Sequence, residues 1–104
     1  MESDTILDMQ TLERLTPLLR VFSHPLRLRI IDFLETMGTP QRVTDIVNAT
    51  EGAPQAIVSQ QLKILRESGI LAAERQGNSV YYSLGQSKGV ALLGCIRKVS
   101  ATDN

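Results

Sequence analysis

The chain has 104 residues, enough for one domain with a core and too few for a second unit. Eleven basic and eleven acidic side chains cancel, and 42% hydrophobic with 21% charged residues is the make-up of an ordinary soluble globular protein. No apolar run approaches the roughly 18 residues of a membrane span, the acidic N-terminus does not resemble a signal peptide, and the single cysteine, Cys95, excludes an intramolecular disulfide; a cytoplasmic protein with no membrane partner is expected.

The first segment, about residues 5–22, sets Leu7, Leu12, Leu15, Leu19 and Phe22 at helical spacing, with Leu18 and Val21 widening the stripe. Pro17 lies inside it and marks either a kink or a break. Ser23-His24-Pro25 stops that helix and starts another, about 25–37, since Pro favours a first helical turn and Ser can cap it. This second helix should bury Leu26, Ile30, Ile31 and Leu34 and end at Gly38 in a glycine cap. A short helix follows at about 43–50, with Thr44 as candidate N-cap and Val43, Ile46 and Val47 inward. After a tight Glu51-Gly52-Ala53 turn, Pro54 opens a helix that closes at Gly69 and turns Ile57, Val58, Leu62 and Leu65 to the core, flanked by Ile64. Two helices joined by a short Gly-containing turn carry the helix-turn-helix signature. Residues 70–76 and 79–84 then read as a hairpin about Gly77-Asn78, a pair that readily takes positive φ. A last helix, about 87–100, places Val90, Leu93, Ile96 and Val99 on one side. The expected fold is mainly α with a small β-hairpin, a single winged helix-turn-helix domain over 1–104 in α-α-α-α-β-β-α order.

The chemistry concentrates between residues 54 and 79. Gln55, Ser59, Gln60, Gln61 and Lys63 lie toward the start of the 54–68 helix, and Arg75 and Asn78 at the hairpin tip. Glutamine can bond adenine bidentately in the major groove, serine a base edge or phosphate, and lysine neutralises phosphate. The helix N-terminal amides near Ala56 add an anion site, and Arg75 on a ribbon can enter a minor groove. The zero net charge argues against nucleic acid, but its distribution softens the objection. Glu2, Asp4, Asp8 and Glu13 fall before any Lys or Arg, leaving eleven basic against seven acidic groups in the remainder. Both terminal helices are richly apolar for surface elements, as expected of a homodimer interface formed by about 5–22 and 87–100. No metal-ligand cluster, phosphate loop or nucleophile-base pair occurs, so neither an enzyme nor a cofactor is expected. His24 reads as a helix-entry residue, and Cys95 as a packing residue, with a redox role the lesser alternative.

Three blocks resemble the ArsR/SmtB family of small winged-helix repressors: Ser23-His24-Pro25-Leu26-Arg27-Leu28-Arg29-Ile30, Val58-Ser59-Gln60-Gln61-Leu62-Lys63-Ile64-Leu65-Arg66-Glu67-Ser68-Gly69-Ile70-Leu71, and Gly77-Asn78-Ser79-Val80-Tyr81-Tyr82-Ser83-Leu84. The resemblance runs from about residue 12 to 99, and its middle block is the most specific. It implies a homodimer that binds an operator in double-stranded DNA, usually represses, and is released by an inducer, whose identity the residues leave open. Members sensing arsenite or soft metals carry Cys-Val-Cys-Asp where this chain has Arg42-Val43-Thr44-Asp45. Others bind zinc through Asp and His on the last helix, which this one lacks. The expected function is a metal-independent regulator of transcription binding an inverted-repeat operator through the 54–68 helix and the 75–79 wing. The alternative is a winged-helix module that binds a protein and not DNA.

Overall fold

The computed structural model describes residues 6–85 and Lys98. Helix α1, Met9–Phe22, begins where Asp8 takes an extended backbone and its Oδ1 accepts the Thr11 amide at 3.0 Å. The helix runs through Pro17 without a break. Its last turn reaches the core through buried Phe22 and half-buried Val21, while Leu12 and Leu19 remain exposed. Helix α2, Pro25–Met37, is capped by His24 rather than Ser23: the His24 Nδ1 accepts the Leu26 amide at 3.2 Å. It buries Ile30, Ile31 and Leu34 and ends at Gly38, whose φ of 70° is the left-handed conformation a C-terminal cap requires.

A two-residue strand, β1 (Gln41–Arg42), follows; it pairs with a distant segment and has no local signature. Helix α3, Val43–Ala49, starts two residues earlier than a Thr44 cap would place it. Its N-cap is Arg42, whose amide donates to Asp45 Oδ2 at 3.2 Å. Helix α4, Gln55–Glu67, buries Val58, Leu62 and Leu65 completely. Strands β2 (Leu71–Gln76) and β3 (Ser79–Leu84) pair antiparallel in the register Leu71–Leu84 to Gln76–Ser79. Of the turn pair, Gly77 takes positive φ (65°) and Asn78 does not, as in a type II′ hairpin.

The sheet order is β1-β3-β2. Ile30 and Ile31 of α2, Ile46 of α3, the apolar side of α4, and Ile70-Leu71 at the start of β2 enclose one core, on which Tyr82 and Leu84 of β3 pack. Each of these fully buried aliphatic side chains stabilises the fold by about 1.5–3 kcal/mol in transfer free energy. The hairpin is thereby held against the end of α4. No helix among the described residues is long and apolar enough to cross a membrane. The expected helix at about 87–100, with Cys95, lies outside the described residues apart from Lys98, which is helical and exposed.

Candidate nucleic-acid interface

Between α3 and α4 the chain turns through Glu51 at φ 57° and Gly52 at φ 99°. Glu51 is not glycine, and its left-handed backbone is held in a turn where its carboxylate also meets Arg29 of α2 at 2.9 Å. The turn delivers α4 with Pro54 as N-cap and no side-chain cap bond, so its first amides are open to solvent or an anion.

The buried stripe of α4 is Val58, Gln61, Leu62 and Leu65. At 3.6 residues per turn the opposite ridge is Ala56, Gln60, Lys63 and Glu67, all exposed. Gln55, Ser59 and Arg66 are exposed on one flank of that ridge, with Ile57 and half-buried Ile64 on the other. The outward surface is thus polar and uncharged at its N-terminal end, cationic at Lys63, and anionic only at Glu67 in the last turn. The first two turns are the part compatible with a polyanion. Arg75, Gln76, Gly77 and Asn78 are exposed at the hairpin tip. Among the described residues, Lys63, Arg66 and Arg75 are free of salt bridges, whereas Arg29 and Arg42 pair with Glu51 and Asp45.

Two assignments drawn from the sequence change. Gln61 belongs to the interior: it is 8% exposed, and its Oε1 accepts a hydrogen bond from Arg27 Nε at 2.7 Å. Arg27 also donates through Nη1 to the Val21 carbonyl at 3.3 Å, so one guanidinium joins α4 to the end of α1. The signal was in the spacing, since residue 61 is three after Val58 and four before Leu65. Ile57 moves the other way. It was expected in the core and is 42% exposed, because the stripe closes on the core without it. The remaining expected residues (Gln55, Ala56, Ser59, Gln60, Lys63, Arg75 and Asn78) are on the surface of α4 or of the wing.

A family model described as "Bacterial regulatory protein, arsR family" matches residues 24–73, from the cap of α2 into β2. An HTH-type transcriptional regulator of Mycobacterium tuberculosis, Rv0081, is 34% identical over 82 residues, covering 79% of this chain and 70% of that protein. The chain belongs to the arsR family. The crystal structure of Rv0081 superposes with a TM-score of 0.72 at 31% identity, covering 93% of each chain. The transcriptional repressor PagR of Bacillus anthracis is 34% identical over 82% of this chain and 83% of its own. Its crystal structure gives a TM-score of 0.72 at 31% identity, over 86% of this chain and 99% of that one. The repressor BigR from Xylella fastidiosa superposes at 0.74 with 27% identity, over 91% of both. This family member is accordingly a DNA-binding transcriptional regulator with a winged helix-turn-helix fold, and not an enzyme.

Arg42 and Thr44, at the positions where the resemblance sets thiolates in soft-metal sensors, line an open depression of about 330 Å³ between the start of α3 and β3 of the wing. Val43, Asn78, Ser79, Val80 and Tyr82 complete it. A guanidinium and a hydroxyl are poor ligands for a soft cation. Among the described residues no three His, Cys, Asp or Glu side chains come together as a metal site.

Proposed function

We propose that this protein represses transcription as a homodimer that lays α4 of each subunit into successive major grooves of an inverted-repeat operator and sets its wing on the flanking backbone. The observation that carries the reading is the outward ridge of α4: a folded helix-turn-helix presents Gln60, flanked by Gln55 and Ser59, over unpaired cations. Gln60, Gln55 and Ser59 read bases or fix register, Lys63, Arg66 and Arg75 meet phosphate, and the amides at Gln55 and Ala56 add a backbone contact. Asn78 lies on the wing beside the flanking groove. Pairing is supported by the row of exposed apolar side chains at Ile6, Leu7, Met9, Leu12 and Leu19, which a second copy would cover together with the segment about 87–100. PagR and BigR are both transcriptional repressors, which supports the direction of regulation. Regulation without a bound metal is the reading supported by the donor set at Arg42 and Thr44.

The test is fluorescence anisotropy with DNA from upstream of the protein's own gene, against random-sequence competitor across a salt series. Three free cations per subunit give about six phosphate contacts per dimer, hence a log–log salt slope of about −5 for selective binding. Absence of binding to any duplex at low salt would overturn the proposal.

A further inference from the structure

Ile57 is a large β-branched side chain, 42% exposed, on a helix whose other outward positions between residues 55 and 63 are Gln55, Ala56, Ser59, Gln60 and Lys63. The core does not need it, since Val58, Leu62 and Leu65 are fully buried beneath α4. It stands three residues before Gln60, so the two side chains are neighbours on the helix surface, with Cβ atoms about 5–6 Å apart. Its place in the first turn is where recognition helices meet base edges.

The edges of the major groove present hydrogen-bond donors and acceptors, together with one protruding apolar group, the C5-methyl of thymine. An isoleucine pressed onto any of the polar edges would strip water from it without returning a hydrogen bond. On the reading that α4 enters the major groove, we infer that Ile57 is a specificity-determining residue that packs on a thymine methyl in each half-site. That thymine belongs to the base pair next to the one read by Gln60 or to the pair one step further, because the separation of the two side chains spans about one to two base-pair steps of 3.4 Å. Gln60 taking adenine and Ile57 taking the methyl make the core of each half-site A·T-rich, with the methyl as important as the hydrogen bonds.

The test begins with selection of tight-binding duplexes from a random double-stranded library by the full-length protein. Each thymine of the selected site is then replaced singly by deoxyuridine, which removes the methyl and leaves the base pairing. At one thymine per half-site the wild-type protein should lose affinity about fourfold, the worth of one buried methyl-sized group. Ile57→Ala, which favours the helix and removes an exposed side chain, should bind the thymine and deoxyuridine duplexes equally while keeping its discrimination at the Gln60 position. Selective wild-type binding with a flat deoxyuridine scan would overturn the inference and leave the proposed function standing. Undiminished methyl sensitivity in Ile57→Ala would also overturn it, as would an equal loss on every duplex. Failure of the library to yield any preferred sequence would overturn both.

Discussion

Gln60 and Gln61 are adjacent in sequence and opposite in role, and substituting them one at a time exposes the difference. Gln61→Ala removes the acceptor of the 2.7 Å bond from Arg27 Nε. A hydrogen bond to a charged donor contributes about 1.5–3 kcal/mol. Arg27 is half-buried and still holds the Val21 carbonyl, so water recovers part of the loss and the expected cost sits near 1.5–2 kcal/mol. For a domain of this size that lowers the Tm by roughly 6–16 °C. Gln60→Ala, on the exposed ridge, should stay within about 0.5 kcal/mol of wild type and yet lose about 1–3 kcal/mol of specific DNA binding. Gln61→Glu keeps an acceptor for the guanidinium and should recover most of the stability. The assay is urea unfolding at one fixed protein concentration, followed by circular dichroism, beside operator titration of each folded variant. Equal stability of Gln61→Ala and wild type would refute the reasoning, as would a Gln60→Ala protein destabilised as much as Gln61→Ala. A double substitution is the wrong experiment, because it mixes loss of the anchor with loss of the reader.

Three further outcomes are expected. Gly38→Ala should destabilise by about 1 kcal/mol through its left-handed backbone alone, since a Cβ there meets nothing within 4 Å; Gly38→Asn should cost less, and an equal cost in urea midpoints would count against the cap. The Asp8 carboxyl is held below its ordinary value of 3.8, mainly by its hydrogen bond with Thr11. Its capping contribution is therefore complete above that value and disappears as pH falls through the lowered one, so the Thr11 amide resonance should titrate with a midpoint below 3.8, and a midpoint at or above it would contradict the cap. Leu12→Asp with Leu19→Asp, both at exposed positions of α1, should leave the α2–β3 core folded and convert a dimer to monomers in sedimentation velocity; an unchanged sedimentation coefficient would remove α1 from the interface.

How much was legible depends on the range over which each feature is decided. The end of α2 at Gly38, the span of β3 and the helix-turn-helix were readable because caps, turn residues and apolar periodicity act within a few residues. Strand β1 was not, because two residues acquire strand geometry only by pairing with Tyr81 and Tyr82, some forty positions away. The cap of α2 was misassigned by one residue. Ser23 carries the commoner capping side chain but instead donates to the Arg20 carbonyl at the end of α1, leaving the amide of Leu26 to His24.

The site was legible as a region and not residue by residue, for a reason specific to helices. Successive side chains diverge by about 100°, so a polar pair on a helix spans inside and outside, and chemistry alone does not say which member is which. Polarity suggested that both glutamines faced out and hydrophobicity that Ile57 faced in. The stripe of Val58, Leu62 and Leu65 settles the phase, and it carries Gln61 inward with them. A buried glutamine there needs a partner, and Arg27 supplies it from α2 while also gripping the end of α1. The consequence for function is directional. The rotation of α4 about its axis is set by a polar bond as well as by packing, so the orientation in which Gln60 and Ile57 meet the duplex is tied to the helix proposed to pair the subunits. In the proposed dimer, a change at α1 would thereby reach the proposed reading face through one guanidinium.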